Sequence, residues 1–590
     1  MLASDRICHS HRHRCRSAQF HPDPRDPMTP AILAWLGNLE AGADVALAAE
    51  RHGMIAVDQS PGRLIFASEN VPLNRKADGR IIIGDCFGDS TRSPMPEPCW
   101  GNFLAFFKNG RRQSVERAAL TGLPLYWRQR PDGVLLASDE RLMPQAAPVS
   151  VDWDFVAHTL AFINLRSEQT GMAGLRELLP GTRIDCEGGC AAVVSTWCPW
   201  DFVAQPKSGE LADIASDLER RIIDCTAAWS ATRRDIIVEL SGGLDSSIVT
   251  AALAAASADF SAITFATPDA EGDERRYARA VASHYGIKLI EVEHDDQAID
   301  LAAPLAEASA RPGAYSVLGG LDLAFAEAVP DRSRSIFGGI GGDSVFHLDG
   351  TIAPILDAYA SFGASRQAFE TMRDVARASG ATVWEAARLA WRAHRAGPRI
   401  GWRRDTDYLN EARLPSAPYS HPWDGGAEQF SQAKRNHVES VRRILDFLDR
   451  PRRWLGRETF APLLSRPVVE LCLAIPSGTW FSGGRNRAVA RAAFARRLPA
   501  DVVWRRGKGR MEALCAAAYL RQRTGLKELL LAGQLAERGL LDLPAIEYYL
   551  DRDLVEGDFD YFRLIEIADV ERWVRAVESE GRAGFSFAHR

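Results

Sequence analysis

The chain has 590 residues, too many for one ordinary domain, and length alone suggests roughly two to four. Apolar residues make up 46% and charged residues 25%, ordinary for a soluble globular protein, and the net charge of −6 argues against a dedicated nucleic-acid binder. The most apolar stretch, around Ala251–Ala256, falls far short of the roughly 20 residues that span a bilayer, so no membrane partner is expected.

The first 27 residues are rich in Pro, Arg and His and show no periodicity. Cys8, His9, His11, His13 and Cys15 match no standard zinc-finger spacing, and the segment reads as a disordered or mis-annotated extension ahead of Met28. It lacks the apolar core of a secretory signal, and the ten cysteines of the chain have no regular spacing. Both features suit a cytoplasmic protein with free thiols, Cys186, Cys190 and Cys198 included.

From Met28 to about residue 205, short apolar runs are punctuated by Gly, Pro and Asp. Gly53–Val57, Arg63–Ala67, Gly79–Ile83, Phe103–Phe107 and Gly133–Ala137 read as strands, and Asp152–Phe162 as a helix. This predicts an α+β domain with much antiparallel sheet. Lys207–Gly209 reads as a linker, and a second unit occupies 206–590. There Glu210–Ala231 has a helical apolar period, and strands at Asp235–Leu240, Phe260–Ala266, Lys288–Val292 and Ser335–Gly338 alternate with helices at Ile248–Ala256 and Asp273–Tyr285. That alternation predicts a doubly wound parallel sheet. Beyond Thr351 the pattern is mostly helical.

Two loops in this second unit carry chemistry. Ser241-Gly242-Gly243-Leu244-Asp245-Ser246-Ser247 follows a buried strand and precedes a helix. Its glycines allow close approach of an anion, its hydroxyls add donors, and the helix start adds N–H groups. It is a polyphosphate loop in design, although not a Walker A sequence, and Asp245 sets a hard oxygen ligand beside the phosphates where Mg²⁺ would sit. Phe337-Gly338-Gly339-Ile340-Gly341-Gly342-Asp343-Ser344 ends the fourth strand, with Asp343 a second metal-binding candidate. In a doubly wound sheet both loops open on one crevice.

This pair of loops resembles the asparagine synthetase superfamily. Further pieces follow in the family's order: Asp273-Glu274-Arg-Arg-Tyr-Ala-Arg-Ala, the run Pro462–Pro476, and Arg505-Arg-Gly-Lys508. In the N-terminal unit, Trp100-Gly-Asn-Phe-Leu-Ala-Phe-Phe, Gly122-Leu-Pro-Leu-Tyr, Leu136-Ala-Ser-Asp-Glu140 and Leu178-Leu-Pro-Gly181 resemble the family's glutaminase domain. The resemblance implies an αββα sandwich of the N-terminal-nucleophile type over 28–205, and an ATP-pyrophosphatase domain with a helical C-terminal part over 206–590. Thr29 follows Met28 where a working glutaminase needs a processed N-terminal Cys, and Cys86 and Cys99 are internal. The glutaminase is therefore expected to be degenerate, and glutamine is not expected to supply the amine. Ile340 and Ser344 stand where asparagine synthetases carry acids.

Within the superfamily, Pro462–Glu470, Gly483-Gly-Arg-Asn-Arg487 and Lys508-Gly509 resemble lasso-peptide cyclases. Such enzymes join a peptide's N-terminal amine to an internal Asp or Glu side chain as a macrolactam. The resemblance implies ATP and Mg²⁺, a precursor core peptide as substrate, and a leader peptidase and a leader-recognition protein as partners. It sets the adenine near Leu240, Phe265 and Gly338–Gly339 and makes Lys508 the group that stabilises the oxyanion. An amide ligase acting on a small substrate and a nucleotide-binding scaffold without catalysis are the alternatives. Tyr315 and His347 are proton-transfer candidates outweighed by packing roles. Glu470 reads as a buried structural acid, and Arg485 and Arg487 grip a phosphate or peptide, or merely start a helix. A pocket able to hold a peptide tail is expected in the helical region after Thr351.

Overall fold

The computed structural model describes residues 31–588 except 89–98, 145–148, 267–271, 294–298, 306, 314–315, 330–334, 349, 398, 400, 449–456, 506, 508 and 510–511. The extension over 1–27, Tyr315 and Lys508 lie outside the described residues.

Among the described residues, the N-terminal part forms two six-stranded antiparallel sheets. Every predicted strand is present, the predicted Gly79–Ile83 as Ile81–Phe87 and the predicted Phe103–Phe107 inside Trp100–Asn109. Successive strand residues point to opposite faces, and Ile32–Gly37 uses both. Ile32, Ala34 and Leu36 fill the core shared with the second sheet, while Leu33 and Trp35 turn outward. The outward face is covered by the helices Ala43–Arg51 and Trp153–Ala161. Asp152 caps the second of these, its carboxylate accepting from the Phe155 amide at 3.0 Å. The long C-terminal helices Glu512–Leu531 and Tyr561–Ala588 return to that same face and bury Leu526, Leu530, Leu564 and Trp573 there.

The second unit is built on a parallel sheet of five strands among the described residues, ordered Leu289–Glu293, Phe260–Ala266, Ile236–Glu239, Ser335–Phe337, Glu458–Phe460. The first four are the strands read from the sequence. The fifth, three residues long and inside a region expected to be helical, is a correction: its isolated Glu-Thr-Phe has no periodicity to betray it. Ile236, Val238 and Leu240 face the helices Leu211–Ser230 and Leu244–Ala255, while Ile237, Ile263 and Ile336 face Phe325 on the other side. The chain order reverses between the central strand and Ser335–Phe337, and at such a point two successive loops part and leave a crevice.

One buried charge cluster ties the two units together. Glu177, fully buried, receives Arg117 at 2.6 Å, Arg311 at 2.7 Å and a forked bond from Arg166. Arg166 also donates to the Leu445 carbonyl, and Arg117 to that of Leu178. Burial alone would push the Glu177 carboxyl up, but the charges of Arg166, Arg311 and Arg117 outweigh it and hold the group well below the usual carboxylate range. Replacing Glu177 by Gln leaves three desolvated guanidiniums without their counter-charge. Glu177→Gln is expected to lower unfolding stability by about 3–5 kcal/mol in urea titrations. Because the folded-state pKa is depressed, the wild-type contribution is fully present above a pH of about 4.3 and declines as pH falls towards the folded value, whereas the variant lacks that slope.

Candidate active site

The polyphosphate loop is tighter than its sequence suggests, because the helix starts at Leu244 with Gly243 as its cap. Asp245, Ser246 and Ser247 thus occupy the first helical turn rather than a loop. The Ser247 amide already bonds the Gly243 carbonyl at 3.2 Å, while those of Leu244, Asp245 and Ser246 are among the groups a helix start leaves without helical acceptors. Gly242 has φ +74°, and a Cβ there would lie 2.6 Å from the Tyr277 Cβ. Ser241 Oγ lies 3.1 Å from Ser246 Oγ, and Ser247 Oγ donates to the Gly243 carbonyl at 2.7 Å. Leu240, buried, hydrogen-bonds Ile263 at the end of the central strand, and Phe265 stands on the neighbouring strand in contact with Phe325.

The second loop presses directly on the first. A Cβ on Gly339 would fall 2.5 Å from the Ser246 amide nitrogen, and one on Gly342 would fall 2.4 Å from the Asp245 Cγ. Gly338 donates to the Phe460 carbonyl at 3.0 Å, so the fifth strand anchors this loop. At Gly339 and Gly342 glycine is required by contact and not by backbone conformation.

Asp245 and Asp343 meet through Arg487. One nitrogen, Nη1, lies 3.0 and 3.1 Å from the two Asp245 oxygens and 2.6 Å from Asp343 Oδ1. Arg487 caps the helix Ala488–Phe494 in the left-handed region, φ +53°, which aims its side chain back across the crevice. Of the two roles weighed for Arg487 in the sequence, the solvated helix start is excluded: its side chain is 12% exposed. Two carboxylates that share one nitrogen are close enough to share one cation, and such a hard-oxygen pair could hold Mg²⁺. Among the described residues no third metal-ligating side chain joins them.

The segment flanking Lys508 is drawn to the same place. Glu274 receives the Gly509 amide and the Arg505 guanidinium, each at 2.6 Å, and Arg505 lies over the Tyr277 ring. Tyr277 in turn packs against Gly242, so the helix Arg275–Tyr285 joins the two segments. Glu274 stood in the sequence within a family-like run, with no feature of its own marking this role.

The other candidates separate cleanly. His347 is buried against His437 and Phe481, and burial, with the Lys434 charge, holds it down to about 3; it packs behind the Asp343 helix as a neutral ring. Glu470 accepts from Trp197 at 2.8 Å and Arg466 at 2.6 Å, a structural acid. Arg485 lies over Trp504. Cys186, Cys190 and Cys198 are free thiols.

One space adjoins these elements and a second lies apart from them. A cavity of about 370 Å³ opens beside Asp245 and Asp343 and reaches the N-terminal sandwich at Trp100 and Asn102. A cleft of about 700 Å³ lies in the helical region after Thr351, bordered by Leu356, Ala393, Trp402, Trp423 and Val438. No helix among the described residues is long and apolar enough to cross a membrane. Gly339→Ala should force the two loops apart by roughly the overlap of its Cβ with Ser246. A displacement of that size is expected to cost on the order of 100-fold in pyrophosphate release from ATP, with the circular dichroism spectrum unchanged.

The asparagine synthase family model matches residues 217–575, more than half of the chain. No curated protein matches. Among solved structures, glutamine phosphoribosylpyrophosphate amidotransferase from B. subtilis, complexed with ADP and GMP, is 12% identical over 47% of this chain and 83% of its own, with a TM-score of 0.17. A structure described as the allosteric regulatory enzyme of purine biosynthesis is 10% identical over 48% of this chain and 77% of its own, with a TM-score of 0.16. At those scores neither likeness bears on the fold. The family match and the crevice agree: the chain belongs to the asparagine synthase family, and it is an ATP-dependent ligase that forms amide bonds.

Proposed function

We propose that this ligase is a lasso-peptide cyclase, which activates an Asp or Glu side chain of a precursor peptide and closes it onto the peptide's N-terminal amine. The observation that carries the reading is the meeting of the two acidic glycine loops at the point where the strand order reverses, with a cavity opening beside both acids. The run from Gly483 to Arg487, quoted above for its likeness to such cyclases, supports it, since Arg487 reaches both acids. A cleft of 700 Å³ in the helical region after Thr351, where a tail-holding pocket is expected, favours a peptide.

In this reading the substrate carboxylate attacks the α-phosphorus of ATP, giving acyl-adenylate and pyrophosphate. The amine then attacks the acyl carbon, and AMP leaves as the amide forms. The amides of the Leu244–Ala255 helix start and the hydroxyls around Ser241 and Ser246 receive the phosphates. Asp245 and Asp343 would hold magnesium, whose charge offsets that of the triphosphate. Arg487, relieved of the two acids by that cation, is free to turn its guanidinium to the departing pyrophosphate. Lys508, whose flanking residues Glu274 ties to the phosphate loop, supplies positive charge to the tetrahedral oxyanion. Leu240, Phe265, Gly338 and Gly339 line the position for adenine. A leader peptidase and a leader-recognition protein prepare the substrate.

The test is pyrophosphate release from ATP by the full chain with leader peptidase and a candidate precursor, followed by mass spectrometry. Peptide-dependent release with a product lighter by one water is the expected outcome. Lys508→Ala should then lower the rate by about 10²–10³, equivalent to roughly 3–4 kcal/mol of lost stabilisation. Release driven by free aspartate or another small acid, with no peptide response, would instead assign the enzyme to small substrates.

A further inference from the structure

The 370 Å³ cavity beside Asp245 and Asp343 is not walled by the ligase unit alone. Trp100 and Leu120 come from the N-terminal sandwich, and Trp229, Phe447, Leu448 and Phe460 from the ligase unit. The rings form a continuous surface, with Trp100 and Trp229 centroids 5.8 Å apart and Trp229 and Phe460 5.3 Å apart. Three polar groups along this surface are turned to partners within the protein. Asn102 Oδ1 accepts from the Leu123 amide at 3.0 Å, Trp229 Nε1 donates to Ser465 Oγ at 2.9 Å, and Arg466 donates to Glu470 at 2.6 Å.

Protein interiors pack like organic crystals, so an open space of this size between large apolar side chains is a built feature and not slack. Its volume falls in the range of small-molecule pockets. One end meets the two acids; the other offers rings and aliphatic groups with their polar neighbours already engaged. A group entering it gains by leaving water and by ring contact, whereas a polar group would lose its hydrogen bonds.

We propose that this cavity binds an apolar, preferably aromatic, side chain of the acyl substrate beside the carboxylate being activated, so that the N-terminal sandwich acts as a specificity wall. The inference rests on the acyl-activating centre lying at Asp245 and Asp343.

The test uses 5-fluoroindole as probe, followed by ¹⁹F NMR on the full chain without nucleotide. Saturable binding to the wild type is expected, weaker by about tenfold or more in Leu448→Trp, which fills the cavity. Ile444→Phe, on the same wall, should weaken binding in the same direction, and thermal unfolding of both variants reports whether the fold is retained. No saturable binding to the wild type, or equal binding by wild type and a folded filling variant, overturns the proposal. Saturable, variant-sensitive binding in a chain that releases no pyrophosphate with any peptide supports the cavity while overturning the cyclase reading.

Discussion

The buried Glu177 carboxylate holds the active-site architecture together. Three arginines from separate stretches of chain converge on it, and none can be left unpaired in the dry interior without a large desolvation penalty. Arg117 lies just ahead of Ala119–Gly122, which line the cavity, and Arg166 holds the carbonyl of Leu445, in the segment that contributes Ile444 and Leu448 to the same lining. The same ion cluster that joins the two units therefore anchors segments that line the space beside the acids. Hydrophobic packing alone, being non-directional, would leave their placement loosely determined.

At the crevice itself, two constraints act together. Gly339 and Gly342 bring the second loop into van der Waals contact with the first, which a single methyl would prevent. That closeness sets Asp245 and Asp343 side by side, an arrangement of like charges that needs a cation. Arg487 meets the need, held in a left-handed conformation that directs it across the crevice. The acids are thus pre-assembled around a positive charge. The helix Arg275–Tyr285 adds the remaining tie, since Glu274 and Tyr277 join the segment around Lys508 to the phosphate loop.

Much of this was legible in the sequence wherever the signal is local. The alternating strands and helices, the Ser241–Ser247 turn and the Gly338–Asp343 loop each depend on residues a few positions apart, through strand and helix periodicity and the conformational freedom of glycine. From those follow the parallel sheet, the shared crevice, the two acids and the family. The fifth strand escaped because three residues carry no period, and the part played by Arg487 escaped because an arginine before a helix looks the same whether it meets water or two carboxylates.

What the tertiary structure alone decided are the contacts that span the chain. Arg487 and Asp245 are 242 positions apart, Arg166 and Leu445 279, and the C-terminal helices close over a sheet that begins at Ile32. No periodicity reports such pairings, because each side chain's charge or bulk is compatible with many partners. The sequence by itself determined the periodic elements, the two glycine-rich acidic loops and the family. Packing chose which distant residues share a cavity, since burial rewards apolar area without specifying its source and leaves buried ions to fix the register.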